Sequence, residues 1–322
     1  MKKDLSFHIE PTLPFDAASD EAFLNAPVHL GPIDEKAFDN TPPACFLGAY
    51  YRKAVSNKDQ WFGIEGTITL GEFVEDPTRY GNDKRIVYDR QLDNPSIYLG
   101  GYAETESDAG LGFSIGYTSS DTTKELHYGS KKVAYRPFYR YIYSDVTDNN
   151  GSVLRGNFNS WNVLDPREFD YYYFPGDKIK MSVVSPKENY LQLRIEVLEQ
   201  TTIEKYKNIR DSFNLGRWPK TYYSPLFYSG GHGKMSAEFK RVNSIDQYGN
   251  EGFVVKKTNA KVTKARWHEV YLFTKVDGKL VKVPFNEKRY ISMICPQKEV
   301  VMVENQNDLG GEDITIMPGN MK

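Results

Sequence analysis

The chain has 322 residues, 39% hydrophobic and 26% charged, with a formal net charge of −2. That length buries a sizeable core, and the balance is that of a globular protein, not of a disordered or membrane chain. Acidic and basic residues are mixed throughout; Lys131 with Lys132, and Lys256 with Lys257, are isolated basic pairs on a solvated face, so nucleic acid is not an expected partner.

The outlier is the aromatic share: 23 Tyr and 18 Phe bring Phe, Trp and Tyr to 14%. These residues favour strands and ligand-contact surfaces. No run approaches the ~18 apolar residues of a membrane span. Met1-Lys2-Lys3-Asp4-Leu5-Ser6-Phe7-His8 has no apolar stretch behind it, so no secretory signal is expected, and cytoplasmic synthesis with non-classical release or assembly is. Cys45 and Cys295 are the only cysteines. Without a signal they are expected to be buried free thiols, with a cystine across the fold as the alternative. Their number excludes a cysteine-based zinc site, and no cofactor or metal is expected.

Residues 1–43 carry Pro11, Pro14, Pro27, Pro32, Pro42 and Pro43, which oppose long strands or helices. Phe7, Phe15, Phe23, Leu24 and Phe38 recur among them, which predicts an irregular arm lying over the body or over a neighbouring subunit. The body, 44–322, reads as short strands between turn signals. Residues 61–70 alternate as a half-buried strand. Residues 96–102 and 111–117 read as neighbours joined by the acidic stretch 104–108, and 133–144 as a strand in which Pro137 marks an edge or bulge. Asp148-Asn149-Asn150-Gly151 is a turn, since Asn and Gly tolerate left-handed backbone. In 190–198, Leu191, Leu193, Ile195 and Val197 share one face and Gln192, Arg194 and Glu196 the other. A helical insertion is expected near 201–215: Thr201-Thr202-Ile203-Glu204 fits a capping box, Ile203, Tyr206, Ile209 and Phe213 follow at helical spacing, and Gly216 suits the stop. Strands return at 236–242, 253–257, 266–275, 279–283, 291–295, 300–303 and 313–317. The fold class is therefore all-β, a two-sheet sandwich or jelly roll with one short helix and the arm.

Three kinds of candidate site follow. Glu104, Glu106 and Asp108 alternate, which on a strand puts three carboxylates on one face at ~7 Å steps, an array suited to acid–base work. Trp161, Tyr171, Tyr172, Tyr173, Trp218, Tyr222 and Tyr223 offer flat faces with polar tips, on which sugar rings stack; core packing competes for the same residues. Residues 222–233 read as a flexible loop with exposed aromatics. Asp145-Val146-Thr147-Asp148-Asn149-Asn150-Gly151 fails as a calcium loop, because Val146 falls at the first ligand position. No nucleophile elbow, paired-histidine helix or phosphate loop is present.

The order of features from Ala44 to Leu198, and again at Trp267-His268-Glu269-Val270-Tyr271-Leu272, resembles the concanavalin A-like lectin/glucanase sandwiches. The resemblance implies a flat or convex sheet packed on a concave one that holds a glycan. The Glu-x-Asp-x-(x)-Glu strand of that group's hydrolases has no match, since Glu104-Thr105-Glu106-Ser107-Asp108 has another residue order. The expected function is non-catalytic glycan recognition through exposed aromatics. The alternatives are a self-assembling structural protein, forming homo-oligomers through the arm, and a glycoside hydrolase or lyase using Glu104, Glu106 or Asp108.

Overall fold

The computed structural model describes residues 12–14, 17–37, 41–82, 89–119, 126–147, 153–160, 169–212 and 218–322. Its strands, in chain order, are β1 (Thr12–Leu13), β2 (Ala49–Val55), β3 (Gly63–Thr69), β4 (Glu72–Val74), β5 (Tyr80–Asn82), β6 (Asp89–Gln91), β7 (Asp93–Tyr102), β8 (Glu106–Ser119), β9 (Leu126–Thr147) and β10 (Val153–Ser160). They continue with β11 (Lys178–Lys187), β12 (Tyr190–Glu199), β13 (Tyr222–Tyr223), β14 (Leu226–Tyr228), β15 (Glu238–Gln247), β16 (Lys261–Val276), β17 (Lys279–Pro284), β18 (Ile291–Cys295), β19 (Val301–Glu304) and β20 (Glu312–Ile316). Two helices accompany them, α1 (Ala17–Leu24) and α2 (Glu204–Ser212). None of the described helices is long and apolar enough to cross a membrane.

Among the described residues, the first sheet runs β1-β14-β12-β11-β3-β16-β20-β19, with β13 on β12 and β4 and β17 on β16. The second runs β10-β9-β8-β7-β15-β2-β18. The chain is thus the all-β sandwich that its period-two hydrophobicity predicts. Leu191, Leu193, Ile195 and Val197 of β12 and Ile64 and Ile68 of β3 meet Ile97 and Leu99 of β7 and Ala109, Leu111 and Phe113 of β8 in one core. Trp267 of β16 lies over Gly66, where a Cβ would come within 2.6 Å of its ring. Its indole Nε1 donates to Asn243 Oδ1 of the opposite sheet at 2.7 Å.

A buried ion triad joins the layers. Arg52 of β2 donates through Nε and Nη2 to Glu312 of β20, at 3.1 and 2.9 Å. Arg241 Nη2 of β15 lies 2.9 Å from Glu312 Oε1, the oxygen that Arg52 Nε also reaches, and its Nη1 donates to Gly310 O at 2.6 Å. Both guanidinium carbons sit 5.5 Å from the Tyr290 ring centroid. Burial opposes the Glu312 charge, but Arg241 and Arg52 hold its carboxyl below the usual range.

Several expectations change. The arm is not wholly irregular: it contains α1, which its prolines concealed, and its described parts are tied to the chain's own body at Thr12–Leu13 and at Val28. Cys45 and Cys295 form a disulfide with Cα atoms 6.0 Å apart, because β18 ends beside the segment entering β2. Residues 253–257 are not a strand; Phe253 and Val254 are 68% and 77% exposed in a loop. The stretch 222–233 is not an exposed loop but pairs β13 and β14 with β12, burying Tyr222, Phe227, Ser229 and His232. Of the helix expected near 201–215, Glu204–Ser212 is helical and Thr201 Oγ1 accepts the Ile203 amide at 3.2 Å, while Phe213 and the Gly216 stop lie outside the described residues. What fixes it was unread: Asp177 accepts Thr201 N at 2.7 Å and Arg210 Nη2 at 2.6 Å. Pro137 pairs with Leu111, and on its other side falls between Tyr139, paired with Ser160, and Tyr135, bridged to Tyr173. The turn at 148–151 lies outside the described residues.

Glu312→Ala leaves two buried guanidinium groups without their anion, and denaturant unfolding is expected to show a loss of about 3–5 kcal/mol. A loss under about 1 kcal/mol contradicts the triad as the tie between sheets.

Candidate active site

The site follows from the alternation of β15. Phe239, Arg241, Asn243 and Ile245 point into the sandwich, so Glu238, Lys240, Val242, Ser244 and Asp246 point outward from the second sheet. Register then decides their neighbours. Lys240 stands opposite Gly100 of β7, and Gly100 opposite Asp108 of β8. Tyr98 stands between Val242 and Gly110, and Tyr102 pairs with Glu106. On the other side, Val242 pairs with Lys53 and Ser244 with Tyr51. Gly100 makes the central contact possible. A Cβ there would lie 2.1 Å from Ser107 O and 3.1 Å from Asp108 Oδ1, in the path of the lysine.

Across that gap Lys240 Nζ lies 2.7 Å from Asp108 Oδ1 and donates to Glu106 Oε1. Arg140 Nη1 sits 3.8 Å from Asp108 Oδ2. Burial works against the Lys240 charge, but Asp108 and Glu106 outweigh it and raise its pKa. In return Lys240 holds the Glu106 carboxyl below the usual carboxylate range, although the side chain remains 46% exposed. Burial lowers the Lys53 ammonium and raises the Glu238 carboxyl nearby.

Asp246, further along the strand, behaves in the opposite way. Ser96 Oγ donates to its Oδ2 at 2.6 Å and Ser244 Oγ at 3.0 Å, yet burial dominates and pushes its pKa up to about 6. Between the two carboxyl environments stands Tyr98, its ring edge-on to Phe138 at 6.0 Å. Burial, then the charges of Asp108, Asp246 and Glu106, raise its hydroxyl well above the ordinary range, so it stays a neutral donor. One carboxyl that keeps its proton and one that is ionised lie on either side of a neutral hydroxyl along this outer face, Asp246 in the row of Asn94 and Glu106 in the row of Tyr102, so that both the acid and the base role are present on it. Among the described residues, no three His, Cys, Asp or Glu side chains converge as a metal site.

Of the acidic triplet, Glu106 and Asp108 belong to this cluster. Glu104 does not, because the chain turns between β7 and β8 and its amide bonds Gly230 O at 3.0 Å. Lys240, Asp246, Tyr98 and Lys53 were missed. No local pattern marks them: Lys240 and Asp246 lie on β15, Tyr98 on β7 and Lys53 on β2, and only the order of strands in the sheet makes them neighbours.

The six described aromatics form no common surface. Trp161 lies outside the described residues. Tyr173 is 0% exposed in the main core, and Tyr172 packs with Ala134, Phe174 and Tyr206 under Arg136. Tyr222 is buried, with Tyr171 edge-on at 5.4 Å. Tyr223 is half-buried, its hydroxyl accepting from Arg194 Nε at 3.1 Å. Trp218 alone among the described six is broadly open, at 56%.

No protein-family profile matches the chain, and no curated protein does. Among solved structures it is similar to a scytalido-glutamic peptidase in complex with a peptide-based transition-state analog, at 9% identity and a TM-score of 0.42, covering 84% of this chain and 98% of that one. It is also similar to SCP-B, a member of the eqolisin family of peptidases in complex with the tripeptide Ala-Ile-His, at 10% identity and a TM-score of 0.37, with the same coverage. A beta-porphyranase from the human gut bacterium Bacteroides plebeius aligns at 9% identity and a TM-score of 0.20, over 62% of this chain and 76% of that one. Similarity at these levels carries no argument about activity. The expected non-catalytic glycan recognition through these aromatics is overturned by the packing itself, because the described rings, Trp218 apart, are buried or half-buried against their neighbours.

Lys240→Met removes the charge that holds Glu106 ionised. Carbon-13 carboxyl titration is expected to show the Glu106 midpoint rising; an unmoved midpoint contradicts the lysine as its cause.

Proposed function

We propose that this protein is a hydrolase of the acid–base type, with Glu106 as general base, Asp246 as general acid and a peptide bond as substrate. The single observation that carries the reading is the split between the two carboxyls: Asp246 holds its proton up to about pH 6 while Glu106 is ionised below the usual range. Environments that push like groups apart assign acid and base roles. The neutral Tyr98 hydroxyl favours acyl chemistry, because a tetrahedral oxyanion needs a donor that does not itself ionise.

In the step proposed, Glu106 takes a proton from water as the water oxygen bonds to the carbonyl carbon. Tyr98 donates a hydrogen bond to the resulting oxyanion. Asp246 passes its proton to the leaving nitrogen as the carbon–nitrogen bond breaks, giving a carboxylic acid and an amine. Exchange with solvent then restores both carboxyls. Lys240 is a positioning residue here, holding Glu106 ionised and oriented.

The rate requires Glu106 ionised and Asp246 protonated, so cleavage of a quenched fluorogenic peptide library is expected to be highest in mild acid and to fall as pH rises through about 6. Glu106→Gln and Asp246→Asn are each expected to lower kcat/KM by about 10²-fold or more, with circular dichroism unchanged. Absence of cleavage anywhere between about pH 3 and 8, or full activity in both variants, overturns the assignment.

A further inference from the structure

The two sheets are joined by a strap, residues 229–237, that links β14 of the first to β15 of the second. Its backbone holds a turn of each. On the first sheet it holds the β11–β12 turn: Ser229 N donates to Asn189 O, Asn189 N to His232 O and Gly231 N to Asn189 Oδ1, each at 2.8 Å. On the second it holds the β7–β8 turn: Gly230 N donates to Thr105 Oγ1 at 2.8 Å, and Glu104 N to Gly230 O at 3.0 Å. Gly231 has a φ of +85°, and a Cβ there would lie 2.9 Å from both Ala103 Cβ and Glu104 N. Only glycine lets the strap press so closely on that turn.

His232 is sealed inside this junction, 0% exposed, with its ring edge-on to Phe239 of β15 at 5.3 Å. Its Nδ1 lies 2.8 Å from Ser229 Oγ. That oxygen lies 2.7 Å from Oγ of Ser107, the residue of β8 between Glu106 and Asp108. Among the described residues, Nε2 has no hydrogen-bond partner, and it faces Gly101, where a Cβ would come within 2.8 Å. The neutral ring suits this setting with its proton on Nδ1, donated to Ser229 Oγ, and Nε2 bare. A second proton goes on Nε2, where it meets no acceptor, and a buried charge without a partner is costly. Burial, and then the charges of Lys58 and Lys240, hold the imidazole down at about 4 against the raising effect of the Ser229 backbone. The surrounding carboxylates are placed elsewhere. Glu104 lies along the strap at Gly230 and Glu188 adjoins Gly233, while Glu106 and Asp108 engage Lys240 on the outer face, where Glu238 also points.

We propose that His232 is an acid-operated latch: as the neutral ring it locks the β7–β8 turn, and with it the start of β8 that carries Glu106, to the β11–β12 turn, and a proton taken up at Nε2 opens the strap. With the strap open the ring meets water and binds its proton at the ordinary value of about 6.5. Between about pH 6.5 and 4 the open form therefore holds more protons than the closed one, so the hold is full above that window and weakens as pH falls through it. The proposal goes beyond the hydrolase reading and does not rest on it, and its test needs no substrate.

Hydrogen exchange of the full-length wild type, corrected for the intrinsic pH dependence of amide exchange, reads the latch at Glu104, Gly230 and Gly231. Their protection is expected to stay below that of the β3–β16 amides at every pH, and to fall about 10²-fold from pH 7 to pH 4. His232→Gln cannot take the proton, and its strap amides are expected to lose that fall. Protection that is flat with pH in the wild type, an equal fall in His232→Gln, or strap amides that exchange only together with those of β3 and β16 each overturn the proposal. A nitrogen-15 titration of the imidazole needs no variant to fold: a midpoint near 4 is expected, and one near 6.5 overturns the latch.

Discussion

The carboxylate of Glu312, held between Arg52 and Arg241, is the contact on which the rest of the molecule depends. It gathers β2 and β15 of one sheet and β20 of the other, deep in an otherwise apolar interior. Two guanidinium groups and one carboxylate are costly to bury, and an apolar trio of similar volume often does as well or better. What the triad adds is register. Arg241 meets Glu312 only if β15 pairs with β7 and β2 as it does, and a slip of one residue would turn every side chain to the other face.

The candidate active site is the other half of that constraint. Lys240, Val242, Ser244 and Asp246 face outward because Arg241, Asn243 and Ile245 face inward. Opposite them, Gly100 and Gly110 leave room for Lys240 and Tyr98. The disulfide and Phe46, stacked on Tyr51 at 3.9 Å, lie on this same outer face. The molecule therefore has unequal outer faces: one carries half-exposed carboxyls, and the other is sealed by the arm.

Much of this was readable where local pattern decides. The 190–198 segment alternates so cleanly that its core residues follow from it, and the Thr201 cap marked the helix. The aromatics misled because neighbouring residues of an extended segment, such as Tyr172 and Tyr173, point to opposite sides, and here both sides are covered. In the same way Gln192 and Arg194 stand on the polar side of β12, yet both are buried, Arg194 beside Asp20 of α1 and Gln192 against Ser224. The disulfide depends on where two distant segments end, and compartment reasoning pointed the other way. At the site, Glu106 and Asp108 could be found from their spacing alone. Lys240 could not, since 134 positions separate it from Glu106 and only sheet order makes them neighbours.

The central claim is that one outward carboxyl of the second sheet keeps its proton while another is ionised. The most direct measurement is a carbon-13 titration of the Asp246 carboxyl in the wild-type protein. A midpoint near 6, from burial against Ser96 and Ser244, is the result the account requires. A midpoint near the ordinary aspartate value of about 4 would leave the site without its acid and contradict the account.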